Sequence, residues 1–388
     1  MSSSPKNLFF AHSGGVTAVV NTIAASVIQA AKKHSAFGSI YIGRHGILGA
    51  LNEDWINANT LTPEIQRQIA QSPGSFAGSC RHKLKDPKER ARLVNLFKKH
   101  NIGYFLYNGG NDSQDTTHKI TLLAKESGLD LKCIGLPKTI DNDLPHTDFC
   151  PGFPSAAKYV ALSTLEASID LASMAKTSTK VFILEVMGRH AGWIAAASGL
   201  AQDRMPHVPH IILMPESPFD VKRFLARVNQ CVLKYGFCTI VASEGARDAS
   251  GRFLSDQGGQ DAFGHVQLGG VAAYLADLIK KESQHKTHYA IADYLQRAAR
   301  HIASQVDVDC AWQLGQEGIT RLLKGESGCM LTLKRQNSRN WQVRSTPLDT
   351  VANEEYCLPA DFISEDGMGI TEKAVDYLRP LIQGEAYP

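Results

Sequence analysis

Short apolar runs that each end in a small or polar cluster are the feature that most restricts the fold of this chain. The runs include "NLFFAHSGG", "IGYFLYNGGNDS", "LKCIGLPKTIDND", "KVFILEVMGRHAG", "HIILMPES" and "FCTIVASEGA", with helical patterns between them. Alternating strands and helices predict parallel sheets covered by helices on both faces. Ligands bind such sheets at the carboxyl ends of the strands. The sequence therefore predicts an α/β protein whose site residues follow its strands.

The size and composition of the chain allow two domains. Hydrophobic residues make up 43% of the 388 residues, enough to fill a substantial core. A linker rich in Pro, Gly and Ser is absent from the sequence, so we expect the chain to cross between the domains more than once. The stretches "WINANTLTPEIQRQIAQSPGS" and "RLLKGESGCMLTLKRQNSRNWQVRST" predict helical or hairpin additions.

Charge and cysteine usage argue against several classes of partner. The 41 Lys and Arg residues exceed the 38 Asp and Glu residues by only three, which gives no reason to expect a nucleic acid or an anionic membrane. The eight cysteines form no CxxC pair, and "MSSSPKNLFF" lacks the apolar core of a signal peptide. No apolar run approaches the roughly 20 residues that cross a bilayer. We expect a soluble, cytoplasmic protein with free thiols.

Two glycine pairs lie where a strand is predicted to end and a helix to begin. Gly14 and Gly15 in "SGGVTAVVN" permit close backbone approach, and a following helix N-terminus favours an anion. A tight turn with no ligand is the alternative for an isolated pair. The second cluster, "YNGGNDSQDT", adds Gly110, Asn111 and Asp112, where backbone N–H groups and oxygen ligands could meet a phosphate or its magnesium ion. A capped, hydrophilic first helical turn is the alternative there.

The segment "PKTIDND" is the most specific of the motifs. One aspartate near an alcohol can act as general base, and a second can orient it or hold a hydrated metal ion. A lysine beside them can neutralise developing phosphoryl charge. Asp and Asn are common in turns, but that explanation is weak for Lys138, Thr139, Asp141 and Asp143 together.

Three later motifs offer groups that suit a sugar phosphate. They are "EVMGRHAGW", "ASEGA" and "DYLQRAARH", the last of which puts a tyrosine and an arginine three residues apart on one helix face. Taken singly, each arginine would more often be a surface residue. The side chains and glycine concerned are Met187, Gly188, Arg189, Glu244, Tyr294 and Arg297.

In the order of these motifs the sequence resembles the phosphofructokinase superfamily, and in particular its pyrophosphate-dependent branch. The resemblance covers most of residues 7 to 305. It implies two Rossmann-like domains with largely parallel sheets and an active site in the cleft between them. The expected domains are 1–137 plus about 258–305 for the donor, and 138–257 plus about 306–388 for the sugar phosphate.

The resemblance also implies a role for each matching residue. Asp141 would take the proton from the sugar O1 hydroxyl, and Thr139 would touch the same substrate. Met187, Gly188, Arg189 and Glu244 would line the fructose 6-phosphate pocket, with Tyr294 and Arg297 on its phosphate. Lys180 would reach a neighbouring subunit's site. Gly14 and Arg81, with Gly15 and Gly110, would hold the donor phosphates.

Donor choice is expected to depend on Lys138 and Asp112. Pyrophosphate has no adenosine from which to draw binding energy, so Lys138 would act directly on the transferring phosphoryl group. Asp112, where ATP-using relatives have glycine, would occupy the space of an α-phosphate. Asn111 stands where related enzymes usually have an aspartate as magnesium ligand, and Asp143 is the second candidate ligand. Leu268 replaces an arginine that often binds the sugar phosphate.

These residues predict a Mg²⁺-dependent phosphotransferase that makes fructose 1,6-bisphosphate from fructose 6-phosphate and pyrophosphate, and runs in reverse with phosphate. The resemblance further implies a homodimer or homotetramer with sites near the subunit interfaces. Two alternatives stay open: an ATP-dependent enzyme of the same fold, and a catalytically silent regulator that binds sugar phosphates. A comparison of activity with the two donors separates all three.

Overall fold

The computed structural model describes residues 4–254, 270–337 and 340–385, which form two compact units. The first unit comprises Met1–Pro154, Ala303–Glu355 and Gly384–Pro388, and the second comprises Ser155–Ile302 and Tyr356–Gln383. The chain therefore passes between the units more than once, as the missing linker predicts. No helix in the described part of the chain is both long and apolar enough to cross a membrane.

Eleven strands lie in the described residues. They are β1 Lys6–His12, β2 Phe37–Gly43, β3 Trp55–Asn57, β4 Ile102–Gly109, β5 Lys132–Pro137, β6 Val181–Val186, β7 Ile211–Leu213, β8 Cys238–Ser243, β9 Thr287–Ile291, β10 Cys329–Arg335 and β11 Trp341–Pro347.

The α-helices between these strands are amphipathic or fully buried. In chain order they are α1 Val20–Lys32, α2 Ile47–Asn52, α3 Pro63–Gln71, α4 Pro87–Lys99, α5 Asn111–Glu126, α6 Phe153–Met174, α7 Trp193–Ala197, α8 Val221–Tyr235, α9 Val271–Ser283, α10 Asp293–Ala298, α11 Gln305–Leu323 and α12 Glu372–Leu378.

The first unit is built on a seven-stranded sheet in the order β11-β10-β5-β4-β1-β2-β3. The five central strands are parallel, and only the pairs β2–β3 and β10–β11 are antiparallel. Leu8, Phe9, Phe10 and Ala11 of β1 are all 0% exposed, because helices cover both faces of the sheet. The predicted α/β fold with largely parallel sheets is confirmed.

The second unit contains a four-stranded, fully parallel sheet in the order β7-β8-β6-β9. Apolar side chains of its strands, such as Val181, Ile183 and Ile240, pack with Phe224 of α8 and Leu275 of α9 in one core. This packing fixes β6 and β8 in the middle of the sheet, and it places the residues that follow them side by side.

The two units divide the chain differently from the predicted domain ranges. The predicted sugar-phosphate domain includes residues 138–154 and 306–355, but both ranges lie in the first unit, where β10 pairs with β5 and α11 packs on α1. The stretch after "RLLKGESG" is the predicted hairpin, formed by β10 and β11. Residues 270–302 lie in the second unit, because β9 pairs with β6. The predicted boundary near residue 258 lies outside the described residues.

All eight cysteines are free thiols, as expected, and six of them are buried or part-buried in the cores or sheets, with Cys80 and Cys357 in irregular segments.

A buried histidine makes the stability of the second unit depend on pH. The Nδ1 atom of His210 accepts a hydrogen bond from Thr239 N at 3.0 Å. Burial, then the charges of His207 and Arg227, lower the pKa of His210 to about 4. Because the unfolded residue titrates near 6.5, the stability that His210 contributes is complete above that pH and is lost as the pH falls towards 4.

We therefore expect His210→Asn, which keeps an acceptor but does not titrate, to be less sensitive to acid than the parent protein. Between about pH 7 and pH 4.5 the parent should lose roughly 2 kcal/mol more unfolding free energy than the variant. Urea unfolding at the two pH values measures the difference, with exposed His34→Asn as control. Equal losses in parent and His210→Asn would contradict the prediction.

Candidate functional site

The first unit brings three of the predicted motifs to one edge of its sheet. Strands β5, β4 and β1 are neighbours and parallel, with His12 paired to Asn108 and Gly109 paired to Pro137 at their carboxyl ends. The segments that follow these strands are therefore adjacent. They are Ser13–Gly15, Gly110–Asp112 and Lys138–Asp143.

The glycine turn after β1 is held by hydrogen bonds from two sides. Gly14 has a φ of +76°, which favours glycine. Its N–H donates to Cys80 O at 3.0 Å, and the Ser79 hydroxyl donates to Gly14 O at 2.6 Å. Ser13 N donates to Asn108 O at 2.9 Å, which ties the turn to β4. The turn is thus a fixed element of the site.

The two glycine motifs differ in how they meet their helices. The helix α5 begins directly after Gly110, whose conformation is extended and which supplies no side-chain cap. The helix α1 begins only at Val20, because Val16–Val19 form an irregular connection after Gly15. A helix therefore begins directly after Gly110, as predicted for the second glycine cluster. The first glycine pair, Gly14 and Gly15, is separated from its helix by four residues.

Lys138 is buried beneath the glycine turn. The residue is 2% exposed. Its ammonium group donates hydrogen bonds to Ser13 O at 2.6 Å and to Gly15 O. A buried ammonium group needs such partners, since an unpaired charge in the interior is costly. Lys138 therefore joins the ends of β5 and β1, at the place where the sequence predicts donor phosphates.

Buried His12 lies beside this lysine. Asn108 Nδ2 donates to its Nδ1 atom at 3.3 Å, and its Nε2 atom has no hydrogen-bond partner among the described residues. Burial, and next the charge of Lys138, lower the pKa of His12 to about 3, so the imidazole is neutral at neutral pH. The neutral histidine therefore adds no positive charge beside the Lys138 ammonium group.

Asp141 and Asp143 form an acidic pair after β5. Asp141 N donates to the Thr139 hydroxyl oxygen at 3.1 Å, and this hydroxyl lies 3.5 Å from Asp141 Oδ2. The intervening Asn142 has a φ of +56° and is fixed by Cys150 N, which donates to its Oδ1 atom at 2.9 Å. Thr139 and Asn142 thus determine where the Asp141 carboxylate lies.

Asp143 is the more enclosed of the two carboxylates. Its Oδ1 atom is buried without a hydrogen-bond partner among the described residues. Burial, and then the charge of Asp141, raise the pKa of Asp143 well above its usual range. Two neighbouring carboxylates repel each other, so the pair favours a single negative charge when no cation is bound.

Asp112 lies in the first turn of α5 and pairs with a residue that the motifs do not include. Its Oδ1 atom is 2.9 Å from Lys83 Nζ. Asn111 Oδ1 accepts a hydrogen bond from Asp112 N at 2.7 Å, so part of the acceptor capacity of Asn111 is used within the helix end. Among the described residues, no three His, Cys, Asp or Glu side chains come together to hold a metal ion by themselves.

Arg81 is brought to the same edge by the segment Ser79–Lys83. This segment packs on the glycine turn through Ser79 and Cys80, and Arg81 itself is exposed. All the predicted donor-side residues of the first unit therefore lie around the ends of β1, β4 and β5.

The second unit gathers a second set of predicted residues at its own sheet edge. Strands β8, β6 and β9 are neighbours, with Val186 paired to Ser243 and Glu185 paired to Ile291. The motifs that follow them, "MGR", "EGA" and "DYLQR", are adjacent for that reason. They carry Met187, Gly188, Arg189, Glu244, Tyr294 and Arg297.

The loops after β6 and β8 are held together by hydrogen bonds. Gly188 has a φ of +128°, and a Cβ atom there would lie 2.7 Å from Ala191 O, so only glycine fits. The Ser243 hydroxyl donates to Gly188 O at 2.5 Å, and Glu244 N donates to Val186 O at 2.8 Å. These hydrogen bonds determine the backbone positions of Met187, Arg189 and Glu244.

The short helix α10 supplies an exposed tyrosine, a half-buried arginine and a buried glutamine. The guanidinium carbon of Arg297 lies 4.1 Å from the centroid of the Tyr294 ring, a cation–π contact that orders both side chains. Tyr294 is 62% exposed, whereas Gln296 is 1% exposed and accepts a hydrogen bond from Met187 N at 3.3 Å. Gln296 therefore attaches α10 to the loop after β6.

Lys180 does not join this set. It precedes β6, whereas Met187 follows it, so the two residues lie at opposite ends of a six-residue strand, about 20 Å apart. Its ammonium group donates to Ala175 O and Lys176 O beyond the end of α6.

Lys83, His12 and Gln296 lie near the two sites but are not among the predicted site residues. Lys83 lies in an irregular segment, and the other two are buried by tertiary packing, so neither a spacing nor a composition signal marks them. The predicted replacement of an arginine by Leu268 lies outside the described residues.

Two parallel sheets whose carboxyl ends carry glycine turns, carboxylates and basic side chains define an α/β protein suited to phosphorylated ligands. The chain belongs to the phosphofructokinase family, whose model matches residues 7–322.

The relatives share this architecture over nearly the whole chain. The pyrophosphate–fructose 6-phosphate 1-phosphotransferase of Methylococcus capsulatus is 50% identical over 99% of this chain and 93% of its own length. The protein of the same name from Halomonas elongata is 51% identical over 98% and 93%, respectively. The crystal structure of the pyrophosphate-dependent phosphofructokinase from Nitrosospira multiformis matches with a TM-score of 0.92 and 49% identity, covering 99% of this chain and 93% of that one.

Proposed function

We propose that this protein transfers a phosphoryl group from pyrophosphate to the O1 hydroxyl of fructose 6-phosphate, giving fructose 1,6-bisphosphate and phosphate. The observation that carries the proposal is the convergence of the glycine turn, Asp112 and the segment Lys138–Asp143 at three neighbouring strand ends. The names of the relatives at about 50% identity support the same reaction. Because one anhydride bond is exchanged for one ester, the reaction is also expected to run in reverse with phosphate.

Asp141 acts as the general base on the acceptor. It removes the proton of the sugar O1 hydroxyl as the oxygen attacks the terminal phosphorus, while the bridging bond of pyrophosphate breaks and phosphate leaves. The surroundings of Thr139 support this role, since its hydroxyl oxygen accepts from Asp141 N at 3.1 Å and lies 3.5 Å from Asp141 Oδ2. Thr139 also contacts the sugar.

The donor is held by backbone and cationic groups around the end of β1. Gly14, Gly15 and Gly110 let the backbone approach the phosphates closely, and Arg81 adds a positive charge. Lys138, fixed under the turn, counters the charge that develops on the transferred phosphoryl group. Asp112 takes the space that an α-phosphate would need.

Mg²⁺ is the divalent ion that we propose for the donor. Its ligands are oxygens, and it commonly binds few carboxylates together with substrate phosphates. Asn111 and Asp143 fit such a site, since each offers an oxygen near the strand ends and Asp143 Oδ1 has no partner among the described residues. When bound, the ion would neutralise phosphate charge.

The sugar phosphate binds at the second sheet edge. Met187, Gly188, Arg189 and Glu244 line its pocket, and Glu244 suits the sugar hydroxyls. Tyr294 and Arg297 bind the 6-phosphate, and their mutual contact holds both side chains in place for it.

Arg297→Ala is expected to raise KM for fructose 6-phosphate by roughly 10- to 100-fold, with kcat changed less than about threefold. The variant loses a charge-assisted bond to a phosphate that does not react, so binding weakens more than turnover. Steady-state kinetics with varied sugar phosphate measure both constants. The control is Arg252→Ala, because that side chain is 83% exposed and pairs with Asp248, four residues before it. An unchanged KM would assign the phosphate to another arginine.

Lys180 is proposed to complete the site of a neighbouring subunit in a homodimer or homotetramer. Its place at the opposite end of β6 from Met187 supports a role away from its own pocket. We propose the cytoplasm as the compartment, in keeping with eight free thiols.

A direct comparison of donors tests the proposed function. The purified protein is assayed for fructose 1,6-bisphosphate at saturating Mg²⁺ with pyrophosphate or with ATP. We expect rapid formation with pyrophosphate and little with ATP. Preference for ATP would establish an ATP-dependent enzyme, and no product with either donor would establish a silent sugar-phosphate-binding protein.

A further inference from the structure

Lys83 forms an ion pair with the carboxylate that is proposed to select the donor. Its Nζ atom lies 2.9 Å from Asp112 Oδ1, and both side chains are only about one quarter exposed, at 27% and 25%. A pair at this depth is screened less by water than a surface pair.

The backbone around Lys83 is fixed on both sides. Before it, Cys80 O accepts a hydrogen bond from Gly14 N at 3.0 Å, and Ser79 binds Gly14 O. After it, Leu84 is 1% exposed in the core of the first unit. Lys83 therefore connects the glycine turn, through its own segment, to the first turn of α5.

The negative charge of Asp112 would by itself hinder donor binding, and the ion pair with Lys83 removes this obstacle. A free carboxylate beside the donor would repel the phosphates of pyrophosphate as well as those of a nucleotide. An ammonium group at 2.9 Å compensates most of that charge while it leaves the bulk of the carboxylate in place.

We propose that Lys83 is a positioning residue for donor binding: it holds Asp112 in one orientation and neutralises it, so that pyrophosphate is accepted beside it. The proposal rests on the proposed function of the same site. It assigns Lys83 no contact with the transferred phosphoryl group, and its effect passes through Asp112.

A double-mutant cycle tests this coupling. KM for pyrophosphate is measured in the parent, Lys83→Met, Asp112→Asn and the double variant. We expect Lys83→Met to raise KM for pyrophosphate about tenfold, with kcat and KM for fructose 6-phosphate changed less than about threefold. In the Asp112→Asn background, which has no carboxylate to neutralise, the same change should alter KM less than about twofold. Lys85→Met is the matched control, since Lys85 is exposed two residues away.

Two results would overturn the proposal: an unchanged KM in Lys83→Met, or an equal rise in both backgrounds, which would mean that Lys83 binds pyrophosphate directly. Binding is also measured without turnover, as the shift in Tm that pyrophosphate and Mg²⁺ cause. The shift should be smaller for Lys83→Met than for the parent and for Lys85→Met. If the parent binds pyrophosphate but forms no product, the proposed function fails, while this comparison of Tm shifts still decides the role of Lys83.

Discussion

Replacing Asp141 by asparagine is expected to lower kcat by roughly 10²- to 10⁴-fold while KM for fructose 6-phosphate stays within about threefold of the parent value. Asparagine has nearly the same shape, so contacts with the sugar remain, but it cannot accept the hydroxyl proton. Steady-state kinetics in the direction of bisphosphate formation measure both constants.

The control for Asp141→Asn is Asp130→Asn, an exposed carboxylate that precedes β5. It should leave kcat unchanged. Turnover of Asp141→Asn close to that of the parent would remove Asp141 from the role of base, and a combined Asp141→Asn, Asp143→Asn variant would then show whether the second carboxylate acts instead.

Replacing Asp112 by glycine should raise the ratio of kcat/KM for ATP to kcat/KM for pyrophosphate by about 10- to 100-fold. A carboxylate about 4 Å from an α-phosphate charge would repel it by roughly 4 kcal/mol at an effective dielectric near 20. The ion pair with Lys83 compensates most of this charge, so the bulk of the carboxylate and the remaining repulsion account for a smaller change than the about three powers of ten that the full value implies. Parallel assays with the two donors measure the ratio, and an unchanged ratio would place donor selection elsewhere.

Lys138→Gly provides the contrasting variant in this donor test. It should reduce kcat/KM for pyrophosphate severely, because it removes the cation and also the donor to Ser13 O and Gly15 O that fixes the glycine turn. Combined with Asp112→Gly it should shift the ratio towards ATP more than either single change. A combined effect no larger than that of Asp112→Gly would mean that the two residues do not select the donor together.

The strand-end motifs were predictable because each depends on local sequence. A continuous apolar run such as that of β1 can only be a strand covered on both faces or a buried helix segment, and the glycines after it favour the strand. Parallel packing then places Gly14, Gly110 and Asp141 at one edge without further information. The order of residues within the edge therefore follows from the sheet.

Features that depend on distant partners could not be read in this way. Nothing local indicates that β10 pairs with β5, about 190 residues earlier in the chain, so the predicted ranges placed it in the other domain. Lys83 belongs to a segment without periodicity, and its importance arises only from the place where Asp112 meets it. The burial of Lys138 under carbonyl oxygens could not be predicted either, since the motif shows only a lysine between a proline and a threonine.

The position of β10 in the chain has a consequence for synthesis on the ribosome. All four strands of the second sheet are complete once residue 291 has been made. Strand β5 ends at residue 137, and its outer neighbour β10 begins only at residue 329, 192 residues later (329 − 137). At typical translation rates the ribosome needs about 10 to 40 seconds to add these residues. Until then its edge is unpaired, although Cys133, Ile134 and Leu136 are fully buried in the finished protein. The nascent chain thus carries an open apolar strand edge while the second sheet forms, and we expect mispairing and aggregation of unfinished chains to begin at β5.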